Sequence, residues 1–466
     1  MGGQDLDAAE DAKSPAPESK APEADVPGSR IQQVSPEYRR YAIGLLFFVY
    51  VFNFIDRQIV TILAEPIKQD LQIADWQLGL MTGTAFAIFY CTLGIPIARL
   101  AERRNRPWII GLSLAAWSGF TALCGIAQNF WHLVLARIGV GVGEAGCTPP
   151  AHSLIADYTP KEQRASAMAF YSMGNPVGAL IGVVSGGLIA DAFGWRTAFL
   201  VVGLPGLLLA VLVILTLVEP RLKAAAAVAR QATQTTQSSF GDVLRVLRGK
   251  RTFWYMAIGV SIVAFIGYGH APFGASFFLR VHGAEIEQLA AQFGLGPIGF
   301  VGLALGLILG IAAGVGVFLG GIIADRYGAR DLRAYMGIPG VAVLASVPIY
   351  TMALLMPSFL PILPILALNS VLVSLWQGPV YATVQNIAPV HMRATAASIF
   401  LFIANLIGLG LGPLAVGLAS DILAGPFGLG SAEGVRWALI GSQFLAIPAF
   451  ICFWLARRTI REEMEE

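Results

Sequence analysis

The chain has 466 residues, with 31 Lys or Arg against 29 Asp or Glu for a formal charge of +2; 56% of it is hydrophobic and only 13% charged. Soluble domains carry about 25% charged residues, so a soluble globular enzyme is excluded, and near-neutral charge with basic residues spread over loops offers no nucleic-acid surface. What remains is an all-α membrane protein, because the charges fall in short clusters between apolar stretches long enough to cross about 30 Å of hydrocarbon.

Residues 1–36 are rich in Ala, Pro, Glu, Asp and Ser. They lack the apolar side chains needed to order a segment and have no signal-peptide core, so they read as a disordered tail, and the first span doubles as the targeting signal. Twelve spans follow, near 41–62, 76–98, 107–128, 131–155, 165–190, 196–218, 253–279, 297–323, 334–356, 359–386, 395–420 and 435–456. Pro107 opens the third span at a position that tolerates a missing N–H, whereas Pro149-Pro150 must bend or break the fourth. The polar stretch 219–252 is a linker, so the chain divides into a first six-span bundle over 37–218, a second over 253–458 and a short tail over 459–466.

Assigning loops to alternate sides places Arg39, Arg40, Arg99 to Arg106, Lys161, Arg164, Arg221 to Arg251, Arg326 to Arg333, Arg393 and Arg457 to Arg461 on one side. The other side receives Lys68, Arg196, Arg280 and Arg436. Positive loops stay cytoplasmic, so both termini are expected in the cytoplasm. The four cysteines and five histidines show no metal-ligand spacing, and neither a metal nor a cofactor is expected.

The halves repeat. Ala98-x-x-x-Glu102-Arg103-x-Asn105-Arg106 recurs 223 residues later as Gly321-x-x-x-Asp325-Arg326-x-Gly328-Ala329-Arg330. Pro160-x-x-x-Arg164 recurs as Pro389-x-x-x-Arg393; Gly178-x-x-x-Gly182 and Gly187 recur as Gly408-x-x-x-Gly412 and Gly417; Asp191 and Asp421 close the match. Such offsets imply two copies in the same orientation, hence six plus six spans. Glu102, Arg103, Arg106 and Arg164, with Asp325, Arg326, Arg330 and Arg393, are the expected cytoplasmic gate: carboxylates and guanidinium groups that lock helices together and release them. Gly141-x-Gly143-x-x-Gly146 matches a dinucleotide fingerprint, but it follows no strand and sits in an apolar span, so close helix packing explains it.

Twelve spans in two repeats, loop motifs after spans two and eight, and a central linker resemble the major facilitator superfamily. Within it, Asn53-Phe54-Ile55-Asp56-Arg57, Glu102-Arg103-Arg104-Asn105-Arg106, Arg137-x-Gly139-Val140-Gly141-Val142-Gly143-Glu144-Ala145 and Leu154-Ile155-Ala156-Asp157 are similar to the spinster family of lipid transporters. The resemblance implies two pseudo-symmetric six-helix bundles in a bacterial plasma (inner) membrane. It also implies a lysophospholipid- or sphingosine-phosphate-like cargo.

Charges inside spans are costly and mark pathways. Asp56 and Glu144 are the candidate proton-coupling pair, and Asn53, Arg57, Arg137, His270, Trp376 and Gln377 are the candidate substrate contacts. Arg137 and Glu144 stand seven residues apart on one helix, about 10 Å along its axis, so each needs a partner from the first span. The reading is a monomeric, proton-coupled alternating-access transporter of an amphiphilic anion, without enzymatic activity and with membrane lipids as its surroundings. A carrier of a non-lipid organic anion or drug-like compound is the alternative; a receptor or scaffold without flux is the alternative from another class.

Overall fold

The computed structural model describes residues 34–220, 240–328, 330–389 and 392–464. Most of the expected N-terminal tail and residues 221–239 of the linker therefore lie outside the described residues. No strand is present among those described, and the helices make twelve passes: α1 (Pro36–Leu71), α2 (75–103), α3 (Arg106–Cys124), α4 (130–158), α5 (164–193), α6 (Trp195–Thr216), α7 (Arg251–Val281), α8 (297–328), α9 (Ala334–Leu355), α10 (359–387), α11 (Arg393–Ala424) and α12 (430–463). Eleven are long and apolar enough to cross as they stand. The fourth falls short because Ala145-Gly146-Cys147 split it into Phe130–Glu144 and Thr148–Tyr158. The break expected at Pro149-Pro150 is thus present, with both prolines in the first turn of the second piece, where no intrahelical N–H bond is lost. A second break, at Leu375-Trp376, divides α10 into Phe359–Ser374 and Gln377–Ile387, 230 residues after the first.

Local signals set the helix starts. Ser35 accepts a hydrogen bond from the Tyr38 N–H (3.2 Å), Asn105 from Trp108 (3.1 Å) and Asn129 from His132 (3.0 Å), each satisfying an orphan donor of a first turn. Carboxylates from elsewhere in the chain cap further starts: Glu219 that of α3, Glu463 that of α7 and Glu285 that of α10. Two helices widen within the membrane into five-residue π segments, Leu80–Thr84 in α2 and Ile308–Ala312 in α8. Part of the expected linker is itself a helix, Phe240–Arg248, whose Val243 and Leu247 are buried in the core of the second bundle. Another short helix, Gly283–Gln292, joins α7 to α8, and α12 stays helical to Glu463, past the expected start of the tail at 459.

Twelve passes return the chain to the side on which it began; that side is called the terminal face and the other the far face. In lipid, helices gain little from hydrophobic burial against one another and associate through close contact. The repeated glycines provide it. A Cβ on Gly178 or Gly182 of α5 would lie 2.5 or 2.8 Å from the Val51 or Ile55 carbonyl oxygen of α1, and Gly408 and Gly412 bring α11 equally close to Ala264 and Phe265 of α7. Gly141 and Gly143 seat α4 against Phe86 and Trp117, so the fingerprint-like glycines are packing residues. Toward the far face one apolar cluster runs through both bundles, joining Ile59, Leu63 and Phe199 to Phe277, Phe359 and Val416. Toward the terminal face it divides into a first-bundle core around Leu46, Leu114 and Leu154 and a second-bundle core around Phe253, Val384 and Phe453. The bundles are therefore joined at the far face and separate toward the terminal one.

Candidate functional site

Asp56 and Arg57 lie midway along α1, and successive helical residues point about 100° apart. Each consequently meets a different part of the first bundle. Arg57 Nε donates to Glu144 Oε2 of α4 at 2.6 Å, while Asp56 Oδ1 accepts from Thr121 Oγ1 of α3 at 2.6 Å and lies 3.8 Å from Arg137 Nη1 of α4. Both α4 charges thus take their partners from the first helix. The Arg57 guanidinium also lies over the rings of Tyr90 (4.4 Å), Phe86 (5.1 Å) and Phe54 (5.4 Å), and Phe86 is shared with Arg137 at 5.3 Å. Aromatic faces attract cations, so these rings add to what holds both arginines in place.

Burial differs within the cluster. Arg57 keeps 16% of its side-chain surface exposed and Glu144 none, which makes Arg57 the member that faces open space. That space is a cavity of about 60 Å³ between the bundles, lined by Phe54, Arg57, Thr82 and Arg137 from the first and by Tyr268 and Pro413 from the second. Buried donors beside it have no hydrogen-bond partner: Asn53 Nδ2, and Nε and Nη1 of Arg137. Leaving such atoms unmet costs about 1–3 kcal/mol each, so these donors are open to a ligand, an ion or water.

A second charged cluster closes the far face. Arg280 of α7 pairs through both terminal nitrogens with Asp75 at the start of α2 (2.8 Å each) and with Glu65 of α1 (2.8 Å), Lys68 reaches Asp75 at 2.6 Å, and Ser420 donates to Asp75 at 2.6 Å. This network spans both bundles and was not anticipated, since Lys68 and Arg280 counted only as markers of sidedness. The signal was available: Glu65, Lys68, Asp75 and Arg280 all lie at span ends on one side.

Residues 46–413 match the profile of the Major Facilitator Superfamily. The chain belongs to that superfamily. This transporter is 31% identical over 449 residues to an "MFS-type efflux pump" of Mycolicibacterium smegmatis, covering 96% of this chain and 99% of the relative. It is 27% identical to Protein spinster homolog 1 of Xenopus tropicalis, covering 87% and 80% of the two chains. Among solved structures it superposes with a TM-score of 0.82 at 31% identity on a bacterial homologue of the human lysosomal transporter Spinster, described as inward-facing and unoccupied, covering 93% of this chain and all of that one. The fold is accordingly that of a spinster-type major facilitator transporter, as the sequence motifs suggested.

The remaining candidate residues fall elsewhere in the transporter. His270 is turned into its own bundle, where Nε2 lies 2.9 Å from Ser442 Oγ and the ring stacks on Tyr350 at 4.8 Å, so it is not brought to the mid-depth cluster. Tyr268, two residues earlier and on the opposite side of α7, faces the cavity in its place. Trp376 and Gln377 sit at the α10 break, with Trp376 against Tyr381. At the terminal face, Arg106 is fully buried within the first bundle, paired with Asp157 (2.7 Å), Ser153 (2.8 Å) and Glu219. It ties the ends of α3, α4 and α6 together and does not reach the second bundle. Arg164 and Arg393 make the same local bond, each Nε donating to the carbonyl five residues back, Thr159 and Ala388. Arg103, Asp325, Arg326 and Arg330 are exposed; the Glu102 side chain lies outside the described part. The motif residues are thus apart in a structure whose described cross-bundle ion pairs lie at the far face.

Proposed function

We propose that the protein moves an amphiphilic anion, of the lysophospholipid or sphingosine-phosphate class, across a bacterial inner membrane by alternating access coupled to protons at Asp56 and Glu144. The observation that carries this reading is the buried Arg57–Glu144 hydrogen bond beside an Arg137 with two unmet donors, with both arginines lining a cleft between the bundles. Fully ionised, the four charges cancel. A proton on Glu144 leaves the cluster at +1 and removes the anion that holds Arg57, so an anionic head group binds where the protonated carboxyl has let go. Arg57 and Arg137 flank one ring, Phe86, and present two guanidinium groups to one oxyanion, the arrangement such groups recognise best. With the Arg-rich loops on the terminal face assigned to the cytoplasm, the closed far face is external and this state opens inward.

The reading is supported by the likeness to spinster proteins. A second reading, a non-lipid organic anion, is favoured by the small volume of the cleft, and an Escherichia coli protein named "Probable L-galactonate transporter" is 27% identical over 60% of this chain. Flux into proteoliposomes separates them: labelled lysophospholipid and labelled galactonate are offered with and without an imposed pH gradient. Lysophospholipid flux that responds to the gradient, and loses that response in Asp56→Asn or Glu144→Gln, is the expected result. Galactonate flux without lysophospholipid flux, or an intact pH response in both variants, overturns the proposal.

A further inference from the structure

The repeat that ends on Asp191 and Asp421 has a meaning at the far face. The Asp421 carboxylate at the end of α11 crosses to the first bundle and accepts the first amides of α2, Oδ1 from the Asp75 N–H at 3.1 Å and Oδ2 from the Trp76 N–H at 2.8 Å. Asp191 at the end of α5 crosses the other way and accepts the first amides of α8, Oδ1 from Ile298 at 3.2 Å and Oδ2 from Gly299 at 2.5 Å. Each carboxylate spends both oxygens on two successive N–H groups of a helix that belongs to the opposite bundle. The backbone is shaped for this. A Cβ on Gly299 would lie 2.8 Å from Asp191 Oδ2, one on Gly296 would run into the same carboxylate, and one on Gly417 would run into the Asp75 carbonyl.

We propose that Asp191 and Asp421 are the paired latches of the far-side gate, each holding the inward-open state by capping a helix start across the bundle interface. A helix start offers unpaired donors and about half a positive charge. A carboxylate reaches it only while the bundles touch, so the contact is made in one state and surrendered to water in the other. That differential contact is what biases a two-state equilibrium. The two latches differ in their surroundings. Asp421 is backed by the Arg280, Lys68 and Ser420 contacts on Asp75, whereas Asp191 works beside glycines, so the α5–α8 seam is the weaker. The proposal rests on alternating access but not on any particular cargo.

Its test is made on the full chain in lipid nanodiscs, without substrate. Spin labels at Phe193→Cys and Phe427→Cys, both exposed ends at the far face on opposite bundles, report the distance across the gate. Asp191→Ala and Asp421→Ala remove both acceptors and the charge. A helix cap is worth about a factor of five in an equilibrium, so each variant is expected to raise the far-open to far-closed ratio about fivefold. The double variant is expected to raise it about twenty-fivefold. Gly299→Ala, which changes no charge, is expected to move the ratio the same way and carries the test if an aspartate variant does not purify as a single species. Unshifted distance distributions in these variants overturn the proposal. Failure of lysophospholipid flux in the wild-type protein, with the distances shifting as expected, overturns the cargo and leaves the latches standing.

Discussion

The Arg57–Glu144 and Arg137–Asp56 pairs look alike in sequence and differ in geometry, and that difference is measurable. The first is a 2.6 Å hydrogen bond; the second stands at 3.8 Å with Nη1 unbonded. A hydrogen bond to a charged group contributes about 1.5–3 kcal/mol net. Coulomb attraction at an effective dielectric near 20 falls from roughly 6 kcal/mol at the shorter separation to roughly 4 at the longer. Both routes give a difference of about 2 kcal/mol. Two double-mutant cycles measure it: Arg57→Gln with Glu144→Gln, and Arg137→Gln with Asp56→Asn, each read as unfolding free energy by tryptophan fluorescence during SDS titration in mixed micelles. Removing one partner of a buried pair costs about 3–5 kcal/mol, so the single variants at Arg57 and Glu144 are expected to be clearly destabilised and their double variant to lose less than the sum. The coupling energy at Arg57/Glu144 should exceed that at Arg137/Asp56 by about 2 kcal/mol. Equal couplings, or a larger one at Asp56, would refute the assignment of Glu144 as the carboxylate that holds Arg57.

Arg106→Leu removes the buried cation shared by Asp157 and Glu219 and should cost about 3–5 kcal/mol by the same titration, with little change in the far-face distance. Gly79→Ala sets a methyl group into the Pro413 carbonyl and should cost about 1–3 kcal/mol while widening the far-face distance; Gly44→Ala, with nothing within 4 Å, should leave both unchanged. Burial at the far face holds the His282 imidazole below its ordinary value, against a raising effect from Glu285 at 3.7 Å and a lowering one from Arg436. The folded protein favours neutral His282, so its contribution is complete above about pH 6.5 and is lost as pH falls through the lower folded value. Melting temperatures from pH 8 to 5 should therefore fall more steeply in the wild type than in His282→Gln.

Much of this was legible in the chain. Hydropathy fixed the number of passes, Pro149-Pro150 marked the break in the fourth, and the repeat singled out the glycines of the close contacts and the two aspartates that cross between bundles, whereas the break at Leu375-Trp376 was not expected. Intramembrane cost singled out the four charges of the mid-depth cluster. What sequence missed was phase and partnership. His270 was chosen for its chemistry, yet it sits about 200° around α7 from Tyr268, which faces the cavity. The loop motifs promised a gate, but a gate has two faces and the chain is seen in one state, so the closed network uses Glu65, Lys68, Asp75 and Arg280 instead. The helix within the linker carried its own signal in the spacing of Phe240, Val243 and Leu247, obscured by the polar residues before it.

The π segment of α2 governs more than a local bend. One surplus residue in a turn rotates everything beyond it by about 100° relative to an uninterrupted helix. Before the surplus, Gly79 meets the backbone of α11; beyond it, Phe86 and Tyr90 meet Arg57. A strictly regular helix could not set its smallest residues against one neighbour and its aromatic ones beneath the cation of another in this order. Excising a single residue from Leu80–Thr84 would leave the fold's outline recognisable and turn the rings away from the arginine they support.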